Sequence, residues 1–228
     1  MSESRFTLAV GAGERLNEHV TGVRWPSIPE RHEMLGEAIE ICRTLWKGGV
    51  HSWKGRYFVI DHAQIYDLPD RPIEIVLGVS GKQSVALAAE KADGIMTTEP
   101  NPELVSGFRS KGNAKGPCYA EAVLAYAPTE EEGLQTAHER FRFSALGWAV
   151  NSELPSVQGF EAATQFVKPE DLANAIATGP DVEAHVGLIR KYVDAGYDHV
   201  VLICPGPHQD RFIDFFQNEL RNQLSEFT

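Results

Sequence analysis

The stretch IEIVLGVSGKQSVALAAEKADGIMTT, residues 73–98, decides the fold. Its first part, Ile73 to Val79, reads as a strand, Gln83 to Lys91 as a helix and Gly94 to Thr98 as a second strand, with a short helix around Glu103 to Phe108 beyond. Strands alternating with helices in this rhythm predict parallel pairing, because a parallel neighbour is reached only through a crossover long enough to return the chain to the same end of the sheet.

Working outward, Phe6 to Val10 is a short run of strand-forming and small apolar residues that ends at the breaker Gly11. From Pro29 to Lys47 the apolar positions Leu35, Ala38, Ile39, Ile41, Cys42, Leu45 and Trp46 recur at helical spacing, with Gly48-Gly49 as a stop. VHSWKGRYFVI, residues 50–60, predicts a hairpin turning at Lys54-Gly55, outside the main sheet. Downstream, Tyr119 to Tyr126 reads as a strand, and Thr129 caps a helix from Glu130 towards Phe143, with acidic residues in its first turn. A less regular stretch runs to Val167. Helices follow from Pro169 and from Asp181 to Asp194, then the strand His199 to Cys204 and an amphipathic helix from Asp210 to Leu224. The count is about five strands able to pair in parallel, whereas a closed (β/α) barrel needs eight. No repeat, low-complexity tract or linker divides the chain, so residues 1–228 are expected to form one domain.

Composition narrows the function. The 228 residues are 43% hydrophobic and 23% charged, enough for a substantial core. Twenty-one Lys and Arg against 32 Asp and Glu give a net charge of -11 with no basic cluster, which disfavours a nucleic-acid partner. Cys42, Cys118 and Cys204 are odd in number and set among apolar neighbours, as expected for reduced thiols. With no long apolar run, the expectation is a cytoplasmic protein without a membrane partner.

Several motifs carry chemistry, each with a plainer reading beside it. Gly11-Ala12-Gly13-Glu14 follows a strand; its glycines would let backbone amides approach a ligand, and Glu14 offers a carboxyl for proton transfer. A tight turn with a surface glutamate explains the same residues. A dinucleotide fingerprint fails because Leu16 stands where glycine is required. A phosphate-binding P-loop fails at Val76 and Gln83, and a nucleophile elbow around Ser80 fails at Lys82. What remains there is an anion cradle made by Ser80, Gly81 and the following amides, or an ordinary strand-to-helix turn. The eight histidines lack metal-ligand spacing, so no metal is expected. His19 lies near Glu14, and Trp25, Trp46 and Trp53 read as core or lid residues.

AVGAGERLNEH, RWP, RHEMLGEAIEICRTLW, the hairpin, AQIYDLP, ADG and GPDVEAHVGLIRKYVDAGYDHV occur in that order over essentially the whole chain. Together they resemble the luciferase-like barrel oxidoreductases that use the deazaflavin coenzyme F-420 (F420), in the branch around glucose-6-phosphate dehydrogenase. The resemblance implies an α/β fold, a (β/α)8 TIM barrel of the luciferase-like type. It also implies a partial barrel, since family chains begin about three βα units earlier, with their catalytic histidine and its neighbours in that earlier part. It makes Glu14 the catalytic carboxylate, and Ala12, Gly13, Asn17, Gly78, Val79, Ser80, Gly81 and Lys82 the cofactor-binding residues. Lys82 replaces the family's usual proline. Thr98 matches a substrate ligand, but the cationic positions of glucose-6-phosphate dehydrogenase correspond to Asn101, Leu154 and Ala175, which argues against glucose 6-phosphate as substrate. The implied function is hydride transfer between F420 and a small organic substrate, in a homodimer. Two alternatives stay open: an FMN-dependent monooxygenase of the same fold, and a non-catalytic truncated barrel that binds a flavin or a partner.

Overall fold

The structure is a computed structural model that describes residues 5–111, 115–207 and 209–227. The chain opens with β1 (Thr7–Val10), the single turn α1 (Arg15–Glu18) and the long α2 (Ile28–Leu45), then the strands β2 (His51–Lys54) and β3 (Val59–Ala63). Next come β4 (Glu74–Gly78), α3 (Lys82–Lys91), β5 (Gly94–Thr97) and α4 (Pro102–Ser110). They are followed by β6 (Cys118–Ala125), α5 (Glu130–Phe141), α6 (Trp148–Asn151), α7 (Val157–Thr164) and β7 (Ala177–Thr178). The last elements are α8 (Val182–Asp194), β8 (His199–Ile203), α9 (Gln209–Phe215) and α10 (Arg221–Leu224). The backbone groups into two compact units. The first holds the described residues up to Gly13, Arg24–Thr97 and Glu103–Cys118; the second holds Glu14–Val23, Thr98–Pro102 and the described residues from Tyr119 on.

In the first unit β4 pairs in parallel with β1 on one side and β5 on the other. Ile75, Val76 and Leu77 are all buried, the continuous apolar run of a strand covered on both faces. Asp93 fixes the entry to β5: its carboxylate accepts the Ile75 N–H at 2.8 Å and the Arg43 guanidinium at 2.9 Å. The hairpin is a separate two-stranded sheet, as expected, but the segment between its strands is Gly55 to Phe58 and β3 runs on to Ala63. Glu37 on α2 accounts for the wider connection. Its carboxylate accepts the N–H groups of Arg56, Tyr57 and Phe58 at 3.0–3.1 Å and the Trp53 indole at 3.2 Å. Desolvation raises the pKa of that carboxyl, but these donors outweigh it and hold the group below its usual value.

In the second unit β6 pairs in parallel with β8 from Tyr119 to Val123 and with β7 at Leu124 and Ala125. Residues Cys118, Ala120, Ala122 and Leu124 are buried while those between them are partly open, the period of a strand with two unequal faces. The Thr129 hydroxyl accepts the Glu132 N–H and starts α5, as its sequence predicts; the α-helix stops at Phe141 and continues as a 3-10 turn, Arg142–Leu146. Asp181 caps α8, which buries His185, Leu188, Ile189 and Tyr192 in one stripe.

Three expectations change. Pro169–Leu172 is only a 3-10 turn, in which the Asp171 carboxylate accepts the Lys168 N–H at 2.8 Å. The two-residue strand β7 is too short to leave a periodic signal. The C-terminal helix is interrupted at Phe216–Leu220 by a π turn.

Candidate functional site

Parallel sheets with helical crossovers bind ligands at the C-terminal ends of their strands. In the first unit Val10 of β1 lies beside Leu77 of β4, so Gly11 and Gly78 leave the sheet side by side. On the other edge of β4, Gly78 is level with Met96, and the Val79 N–H donates to the Met96 carbonyl at 2.8 Å. The loops Gly11–Gly13 and Gly78–Gly81 therefore share one edge, and Val79 is buried beneath it while Gly78 and Ser80 are exposed.

The glycines at this edge differ in what they need. A Cβ at Gly11 or Gly81 would meet nothing within 4 Å, and one at Gly78 would meet only the Val10 carbonyl oxygen, at 3.6 Å. None of the three has a positive φ. The polypeptide itself does not demand glycine there; their missing side chains leave space over the strand ends, which close approach of a flat ligand requires. Gly13 is different, since its φ of +81° is a conformation that L residues adopt only under strain.

The anion cradle expected at Ser80 and Gly81 is partly filled from within. Ser84 presents its hydroxyl to the N–H groups of Ser80 and Gly81, both at 3.2 Å, and donates to the Gly81 carbonyl at 2.9 Å. Lys82 stands exposed as the first residue of α3.

In the second unit Glu14 is the N-cap of α1, with φ -124° and ψ 137°. Its carbonyl accepts the N–H groups of Asn17 and Glu18 at 3.0 and 3.1 Å, yet its half-buried carboxylate makes no capping bond. The Arg15 N–H donates to the Ser152 carbonyl at 3.0 Å, tying this turn to the end of α6. Asn17 lies exposed on the same turn. His19 is also exposed, and its Nδ1 turns back onto the Leu16 carbonyl at 2.8 Å. Thr98 directly follows β5; its side chain is exposed and its carbonyl accepts the Tyr192 hydroxyl at 3.0 Å. Ala12 is half-buried beside Gly13 in the first unit.

Sequence reasoning missed Ser84, Ser152 and Tyr192 as parts of these arrangements. Ser84 lies only three residues beyond Gly81, so its bonds are local, but Gly-x-x-Ser is not the Ser/Thr-x-x-Glu/Gln capping pattern that would have singled it out. The others act from 94 and 137 residues away in sequence, beyond any local pattern. Among the described residues no three His, Cys, Asp or Glu side chains gather as a metal site, and no helix is long and apolar enough to cross a membrane.

Parallel strands with helical connections and a glycine-lined strand edge define an α/β protein built on a parallel sheet. The chain belongs to the luciferase-like monooxygenase family, whose model matches residues 1–199. It is 32% identical over 239 residues to the F420-dependent glucose-6-phosphate dehydrogenase of Microbacterium testaceum (strain StLB037), covering 98% of this chain and 70% of that relative. A similarly named enzyme of Nakamurella multipartita is 31% identical, covering 98% of this chain and 69% of its own. Among solved structures, an F420-dependent secondary alcohol dehydrogenase in complex with an F420-acetone adduct superposes with a TM-score of 0.81 at 25% identity, over 93% of this chain and 68% of that one. The expected luciferase-like (β/α) barrel fold is the fold of this family.

Proposed function

We propose that the chain is an oxidoreductase that moves a hydride between coenzyme F420 and a small, uncharged organic substrate. The observation that carries this reading is the strand edge of Gly11, Gly78 and Gly81, where the space of three absent side chains lies open. Relatives at about this identity are named for F420, and so is the solved secondary alcohol dehydrogenase. When bound, the deazaflavin ring gives or takes the hydride. Gly78, Val79, Ser80, Gly81 and Lys82, with Ala12, Gly13 and Asn17, are the residues assigned to hold it. Ser84 keeps the Ser80–Gly81 turn in shape, and Lys82 supplies a positive charge for an anionic tail.

Glu14 moves the proton that accompanies the hydride. A carboxylate that caps its own helix is committed to backbone N–H groups, whereas this one is not, so its oxygens remain available to a substrate hydroxyl or carbonyl. Thr98 meets the substrate. Thr98 to Pro102 reads Thr, Glu, Pro, Asn, Pro, without a cation. A phosphate dianion needs charge-assisted donors, and Glu99 would repel it, so glucose 6-phosphate is not the substrate. The same reading makes the protein a cytoplasmic homodimer with no nucleic-acid partner.

Fluorescence titration of the purified chain with F420 and with FMN tests the cofactor, and turnover of 2-propanol and of glucose 6-phosphate tests the substrate class. F420 is expected to bind and 2-propanol to be oxidised in preference. Glu14→Gln is expected to retain F420 while turnover falls by about 10²- to 10⁴-fold, the scale of a lost acid or base. Binding of FMN alone, or full turnover by the Gln variant, refutes the assignment.

A further inference from the structure

Helix α8 ends in a turn whose geometry is set by one residue. Gly196 has φ +92°, its N–H donates to the Val193 carbonyl at 2.9 Å, and the next N–H, of Tyr197, reaches back to the Tyr192 carbonyl at 3.3 Å. This pair of bonds is the Schellman ending of a helix, which brings the residue just past the glycine against the one five places earlier. Here both are tyrosines, and their rings meet edge to face with centroids 6.1 Å apart.

Both rings are buried, at 3% and 6% exposure, so each hydroxyl needs a partner in the interior. Both find it on the same short segment. The Tyr192 hydroxyl donates to the Thr98 carbonyl at 3.0 Å, and that of Tyr197 lies 3.2 Å from the carbonyls of both Glu99 and Asn101. Within the segment the Asn101 N–H closes on the Glu99 carbonyl at 2.8 Å. Three carbonyls in four residues are thus held by side chains from one helix end, while the side chains of Thr98 and Glu99 stay on the surface. Burial, then the charges of Glu99 and Glu121, push the Tyr192 phenol up to about 12, so its proton is present throughout the physiological range.

We propose that Tyr192 and Tyr197 are positioning residues that latch the Thr98–Asn101 loop in the conformation that presents Thr98 to substrate. The proposal rests on Thr98 meeting the substrate, as stated above. The latch acts on binding and not on the chemical step.

Tyr192→Phe, Tyr197→Phe and the double variant remove the hydroxyls and keep the rings. Two measurements on the full chain decide the matter. In amide hydrogen exchange, the variants should speed exchange at Thr98–Asn101 by about fivefold per hydroxyl, the worth of one net hydrogen bond, with β8 unchanged. In F420-dependent oxidation of 2-propanol, KM should rise by a similar factor with kcat nearly constant. Combining Tyr197→Phe with Thr98→Ala should add less than the product of the single effects.

Unchanged exchange in the loop, or an equal rise in β8 and α8, overturns the latch. Altered exchange with an unchanged KM, or with kcat falling in place of KM, overturns the positioning role. Altered exchange in a chain that turns over no 2-propanol leaves the latch standing as a structural device and refutes the substrate reading on which its function depends.

Discussion

Replacing Gly78 by alanine separates what the fold needs from what a ligand needs. The backbone there is extended with no positive φ, and the added methyl would lie 3.6 Å from the Val10 carbonyl, an ordinary van der Waals distance. Alanine in a compatible conformation mainly reduces the freedom of the unfolded chain, which stabilises by about 0.4–1 kcal/mol. For a chain of this length, that raises the melting temperature by roughly 1–4 °C. If F420 packs against Gly78 as proposed, the added methyl would stand in its way. Overpacking a close contact costs about 1–3 kcal/mol, which weakens binding by roughly five- to 150-fold. Gly94→Ala is the contrast: its Cβ would stand 2.6 Å from the Pro117 carbonyl oxygen, so it should lower stability with or without ligand. Thermal melts and F420 fluorescence titrations on both variants give the comparison. A Gly78→Ala protein that is less stable than the parent, or that binds F420 with the parent's affinity, refutes the assignment of this glycine to cofactor approach.

Two further predictions concern stability. Glu37→Gln exchanges an anionic acceptor for an amide whose nitrogen repels the N–H groups it faces, so the hairpin connection Gly55–Phe58 should become a site of limited proteolysis while the α3 and β4 peptides stay protected. His185 is 0% exposed, its Nε2 proton is donated to the Gly179 carbonyl at 2.9 Å, and burial holds its pKa below the ordinary value despite the opposing pull of that bond, Asp181 and Glu130. The unfolded chain therefore takes up the proton first. The stability that the neutral ring contributes is complete above about pH 6.5 and is lost as pH falls through the depressed native value. Urea midpoints measured from pH 7.5 downwards should decline more steeply for the parent than for His185→Gln.

Much of the fold is legible in the sequence because its elements announce themselves locally. The strand Ile75–Leu77, the threonine cap of α5 and the aspartate cap of α8 each depend on residues within a few positions. The hairpin is visible as a hairpin, but the span of its connection is set by Glu37, almost twenty residues upstream, and no turn rule contains that contact. The candidate site divides in the same way. Gly13 and Glu14 stand out as a glycine and a carboxylate after a strand. That the carboxylate is left uncapped, that Ser84 already occupies two amides of the cradle, and that two tyrosines hold the Thr98 loop are facts of three-dimensional packing. That the segment Thr98–Pro102 carries no cation is readable directly, because it is a property of the local sequence.

The π turn at Phe216–Leu220 shapes how the end of the chain is to be compared with others. Phe215 and Leu220 are both buried although five residues separate them, a spacing that in a regular α-helix would turn them about 140° apart. The wider turn absorbs one extra residue and restores the inward phase. An alignment that runs straight through this helix would therefore set inward positions against outward ones from Leu220 onwards, and a relative with an uninterrupted helix should match only when a one-residue gap is opened inside the turn.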